Sequence, residues 1–123
     1  MREQPSAVEL LEAVTEFLRE DVTPTLADRI AFHTRVAANV LDIVRRELTD
    51  GARAEQDEVA RLASLLGQSG DADTLNVELC DRLAAGAIDP RDPALIEHLW
   101  TTTLDTVAID QPNYATYRRE RAD

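Results

Sequence analysis

The chain has 123 residues, 44% of them apolar and 30% charged, which is one domain's worth of sequence with enough apolar material for a core and argues against wholesale disorder. Its cations are 13 arginines against 24 acids, with no lysine, and the net charge is −11. A surface of that sign repels phosphate backbones and anionic lipid, so nucleic-acid and peripheral membrane binding are excluded as leading functions.

The four glycines and five prolines all fall between periodic segments, the punctuation of an all-helical protein. Ser6 and Glu9 make a capping box. After them Val8, Leu11, Val14, Leu18 and Val22 recur at helical spacing beside Leu10 and Phe17, with Glu9, Glu12, Glu16 and Glu20 on the other side. The spacing predicts a first helix over about 7–21. Pro24 separates it from a second, over about 26–48, where Thr25 and Asp28 repeat the capping signature and Gly51 stops the pattern. A third helix spans about 53–66, with Val59, Leu62, Ala63 and Leu66 inward and Gly67 as its C-terminal cap. The loop QSGDAD leads to a fourth over about 74–85, capped by Asp71 or Asp73, with Leu75, Leu79 and Leu83 as its stripe and Gly86 as terminator. A fifth spans about 93–109, with Asp92 as N-cap and Pro93 at the first helical position. Its expected core stripe is Leu95, Ile96, Leu99, Trp100, Thr103, Leu104 and Val107, and it must end before Pro112. A short C-terminal tail, 113–123, follows. The expected fold is all-α, a single five-helix antiparallel bundle over 1–123.

On a helical wheel, Ile30, His33, Ala37, Leu41, Val44 and Leu48 fall within an arc of about 80°. His33 is therefore expected inside, either as a buried neutral histidine or as a ligand contact. Arg35, Asn39, Asp42 and Arg46 share the polar side, where an arginine fork beside an amide can hold a carboxylate or phosphate, or pair with the acidic first helix. Asn76 points inward on the fourth helix, so His33, Asn39 and Asn76 are expected to form a buried polar network. His98 projects away from the Leu95/Leu99/Trp100 stripe and is expected to be solvated. Cys80 has no partner for an intramolecular disulfide and reads as a small core residue. Tyr114 and Tyr117 are expected to fold back as aromatic lids on the bundle end.

Metal chemistry finds no footing. The position three before each histidine, where a Glu-x-x-His pair needs a carboxylate, is Ile30 or Leu95, and HExxH is absent. Glycine-rich phosphate loops and nucleophile elbows are also absent, so no catalytic residue and no cofactor is assigned. The acidic start lacks a signal-peptide core and no apolar run approaches a membrane span, so the expected location is the cytoplasm.

The stretches PSAVELLEAVTEFL, FHTRVAANVLDIVRRE, LNVELCDRLAAG and LDTVAIDQPNYATY together resemble a bacterial family of small helical domains of unknown function, over nearly the whole chain. Genes of that family often lie beside those for aminoglycoside-phosphotransferase-like kinases and acyl-CoA dehydrogenases, so the resemblance implies an accessory role with such a protein as partner. It carries no catalytic residues over. Family members tend to have Asn-Pro before the terminal tyrosine, where this chain has Gln111-Pro112. The reading is a non-catalytic accessory or protein-interaction domain, with His33, Arg35, Asn39 and Tyr114 as candidate contacts. The alternative is a binder of, or enzyme on, an anionic ligand such as an acyl-CoA or phosphorylated metabolite. A homodimer through the wide apolar side of the second helix is a third arrangement.

Overall fold

The computed structural model describes residues 4–122, and every regular element among them is helical. The helices are α1 (Ala7–Phe17), α2 (Asp28–Arg46), α3 (Ala52–Leu66), α4 (Ala72–Ala84), α5 (Pro93–Asp110) and α6 (Ala115–Ala122). The expected all-α class and the five main helices are thus present, and the segment expected as a tail is itself largely helical in α6. Backbone contacts divide the chain into two compact units, Met1–Gly51 and Ala52–Asp123. Among the described residues no helix is long and apolar enough to cross a membrane.

In the first unit the capping box forms as expected. The Ser6 hydroxyl accepts from the Glu9 N–H at 3.2 Å, and the Glu9 carboxylate accepts from the Ser6 N–H at 2.8 Å. α1 then widens into a π-helical turn, Leu18–Val22, and a 3₁₀ turn, Thr23–Thr25, holds Pro24. The second capping signature does not form. Thr25 spends its hydroxyl on the Val22 carbonyl at 2.7 Å, and α2 starts after Ala27 with no side-chain cap. Asp28 opens that helix at a φ of +53°, left-handed backbone that aspartate tolerates better than most residues.

α1 and α2 meet through small residues. Thr15, Ala31 and Ala38 are buried between them, with the Thr15 hydroxyl turned back onto the Leu11 carbonyl. Arg19 laces the seam, donating to the side-chain oxygen Oδ1 of Asn39 at 2.8 Å and pairing with Asp42 at 2.6 Å. Among the described residues of this unit no large apolar side chain is fully buried. Leu10, Val14 and Phe17 on α1, and Ile30, Phe32, Val36, Val40, Val44 and Leu48 along α2 and the turn after it, stand exposed.

The second unit has a core of its own: Leu62, Leu66, Leu75, Leu79 and Leu95, drawn from α3, α4 and α5, with Val59, Ala63, Leu83 and Ile88 against it. Its helix ends follow the expected punctuation. Gly67 at φ +67° returns its N–H to the Ala63 carbonyl at 2.8 Å, a single-bond left-handed cap. Gly86 at φ +76° forms a Schellman motif, with its N–H on Leu83 and the Ala87 N–H on Arg82. Asp71, not Asp73, caps α4 by accepting from the Thr74 N–H at 2.7 Å, and that bond holds its carboxyl below the usual range. Asp92 caps α5 through the Ala94 N–H, with Pro93 behind it. Arg82 ties α4 to the end of α3, donating to the Leu66 carbonyl at 2.9 Å, to Gln68 and to Glu78.

Candidate functional site

The two histidines exchange the roles that the sequence suggests. His33 is exposed, edge-on to Phe32 with ring centroids 5.5 Å apart. The reason lies in α2, which turns its seam of Ala31 and Ala38 to α1 and its apolar half, His33 included, away from it. His98 is 3% exposed, because α5 buries Leu95, His98 and Ile109 and leaves Ile96, Leu99 and Trp100 about half exposed. Of the expected core stripe of α5, Leu95 is buried and Leu104 and Val107 are half-buried, whereas Ile96, Leu99, Trp100 and Thr103 form its outer face.

His98 is held by Arg61 of α3. The guanidinium donates from Nε to His98 Nδ1 at 3.1 Å and from Nη2 to Thr102 Oγ1 at 3.0 Å. An Nδ1 that accepts from a permanent cation fixes the neutral imidazole with its proton on Nε2. Burial pushes the His98 pKa down, the Arg61 charge pushes the same way, and Glu58 opposes them in part. Beside this pair lies an open cleft of about 300 Å³ lined by Arg61, Ser64, Leu65, Ala94, Glu97, His98 and Thr101. That is the lower end of the range for small-molecule sites. The cleft combines one guanidinium, two hydroxyls and a neutral imidazole with the carboxylate of Glu97. The signal for it lay in spacing: Leu95, His98, Thr102 and Ile109 recur at three, four and seven residues, on one helical face.

The residues singled out from sequence are placed as follows. Arg35 is exposed, and with Asn39 it lies on the polar side of α2, with His33 on the opposite half of the wheel. Asn39 is exposed, with its side-chain oxygen Oδ1 engaged by Arg19. Tyr114 is 58% exposed in the turn before α6, its N–H on the Gln111 carbonyl at 3.0 Å, so it closes nothing; Tyr117 is half-buried. His33 and Asn39, expected in a buried network with Asn76, are both exposed. Asn76 donates instead to Glu58 at 3.1 Å and to the Ala72 carbonyl at 2.9 Å, both within the second unit. Cys80 is exposed, on the side of α4 away from Leu75 and Leu79. No group of three or more possible metal ligands occurs among the described residues.

Two features of the second unit remain as candidates. One is the Arg61/His98 cleft; the other is the outer face of α5, where Ile96, Leu99 and Trp100 put a tryptophan and two aliphatic side chains into solvent. A family described as a domain of unknown function (DUF6285) matches residues 24–114, about three quarters of the chain. No curated protein and no solved structure matches it.

Proposed function

The chain belongs to the DUF6285 family of domains of unknown function, and on that premise we propose that it is a non-catalytic cytoplasmic accessory domain that docks on a protein partner through the outer face of α5. The observation that carries this reading is the exposure of Trp100, at 49%, between Ile96 at 52% and Leu99 at 46%. The three sit on a helix capped by Asp92 and anchored by Leu95, so the face is presented rigidly. Tryptophan is enriched at binding hot spots, and a cluster of exposed large apolar side chains on one face marks an interaction surface more often than chance.

The bacterial gene neighbourhood implied by the sequence resemblance supplies the partner classes, a phosphotransferase-like enzyme or an acyl-CoA dehydrogenase. The test is co-expression of the chain with a neighbouring protein of each class, followed by titration of any complex. Trp100→Ala is expected to weaken a stoichiometric complex by about 30-fold, the size of a hot-spot loss of about 2 kcal/mol. Failure of both classes to bind, or unchanged affinity in the variant, overturns the reading.

A second reading has the Arg61/His98 cleft in its favour. Its volume and its guanidinium suit a small anionic ligand such as a phosphorylated metabolite or the head of an acyl-CoA. Against it, Arg61 already spends Nε and Nη2 on His98 and Thr102, and Glu97 adds a like charge for any anion entering. A thermal shift with coenzyme A or acetyl phosphate decides between them: a concentration-dependent rise in Tm favours the cleft, and none favours docking.

A further inference from the structure

We propose that the first unit is a dimerisation module, in which the apolar half of α2 and the exposed stripe of α1 pack against the same faces of a second copy to complete a four-helix bundle.

The first observation is what the hairpin leaves undone. Between Ile30 and Val44, half of the α2 wheel is apolar except for His33, and that half points away from α1. The fully buried residues between the helices are Thr15, Ala31 and Ala38, and the large side chains beside them on α1 and the turn after it, Val8, Leu11 and Leu18, are only half-buried. With none of its described large apolar side chains fully buried, the hairpin alone offsets little of the entropy of ordering its two helices. Another layer must cover the apolar half, and two hairpins face to face make the smallest closed helical architecture.

Area points the same way. Nine large apolar residues on the hairpin are 40–56% exposed. At roughly 80 Å² each they present about 700 Å² per copy, close to the ~800 Å² per partner of a standard stable interface and above the largest patch of most monomers.

The opposite net charges of the two helices fit another copy as the occupant. From Ala7 to Val22 the α1 segment carries five acids and one arginine, whereas α2 carries four arginines and two acids. A two-fold axis sets α1 of one copy beside α2 of the other, and the interface is then complementary to itself. An acidic partner finds α1 repulsive, and a basic partner finds α2 repulsive. His33 becomes the single polar side chain within an apolar seam, a device that fixes the alignment of paired helices.

The experiment is light scattering coupled to size exclusion on the full chain, from about 1 to 200 μM, with Val40→Glu as the disrupting variant. The expected mass is twice the 13.7 kDa of the chain, with Val40→Glu raising the dimer Kd at least about 100-fold while circular dichroism stays helical. Should Val40→Glu fail to fold, Phe32→Cys in a Cys80→Ser background gives the second reading: a disulfide-linked dimer under mild oxidation is expected. A wild-type chain monomeric at 200 μM overturns the proposal, and so does a dimer that Val40→Glu leaves intact. Trp100→Ala is expected to leave the dimer unchanged, so failure of the α5 docking face and failure of this module are separately visible.

Discussion

Arg61→Ala removes a side chain that bonds α3 to α5 through polar groups at two points. The wild-type guanidinium donates to His98 Nδ1 at 3.1 Å and to Thr102 Oγ1 at 3.0 Å. A hydrogen bond from a charged donor contributes about 1.5–3 kcal/mol net, and a buried acceptor left unpaired costs about 1–3 kcal/mol. His98 is almost fully buried, so its Nδ1 bears the larger penalty, whereas Thr102 is half-buried and can recover a water. The expected loss is about 2–3 kcal/mol at neutral pH, which lowers Tm by roughly 10 °C for a chain of this size. Urea unfolding followed by circular dichroism measures it. Arg61→Lys should recover little, because an ammonium cannot span imidazole and hydroxyl as the planar fork does. A loss below about 0.5 kcal/mol for Arg61→Ala would refute the argument, since that is the range of a surface substitution.

Two further predictions follow from the same unit. The His98 pKa lies below its ordinary 6.5, chiefly through burial, so the fold prefers the neutral ring. The stability this provides is fully present above pH 6.5 and is lost as pH falls through the lower folded value. Wild type should therefore lose more stability between pH 7 and pH 5 than His98→Asn, which keeps an acceptor for Arg61 and has no proton to gain; equal losses in urea titrations at the two pH values would rule the effect out. Gly67→Ala and Gly86→Ala should each cost about 1–2 kcal/mol, the penalty of a Cβ in left-handed backbone. Nothing lies within 4 Å of either new Cβ, so the cost is conformational alone, and a neutral Gly86→Ala in thermal unfolding would show that the Schellman turn is not held.

The helix ends were legible because capping is local chemistry. Ser6 with Glu9, Gly67, Gly86 and Asp92 with Pro93 each act within a few residues, so the sequence alone places them. Thr25 misled because Pro24 draws the chain into a 3₁₀ turn, and the threonine hydroxyl finds a carbonyl inside that turn before it can reach a helix N–H. The α4 cap was ambiguous between two aspartates, and only backbone geometry selects Asp71.

Helix faces were less legible, for a reason that α5 makes plain. Leu95, Ile96, Leu99, Trp100, Leu104 and Val107 cover about half of its circumference, and Ala94, Ala108 and Ile109 lie on the other half, so the wheel offers no single apolar direction. What decides the face is the neighbour: α3 brings Leu62 and Leu66 for Leu95 to pack on, and Arg61 for His98 to accept from, all of them roughly thirty residues or more upstream. A histidine with an arginine donor can be buried neutral without an orphaned nitrogen, and a tryptophan without a neighbour cannot be buried at all. In α2 the same logic runs in reverse. Its apolar half has no partner within its own unit, so the periodicity that correctly located the helix placed His33 on a face that only a further layer can cover. The pattern of apolar residues records the surfaces a helix must bury; which molecule buries them is set by what the rest of the assembly brings to meet them.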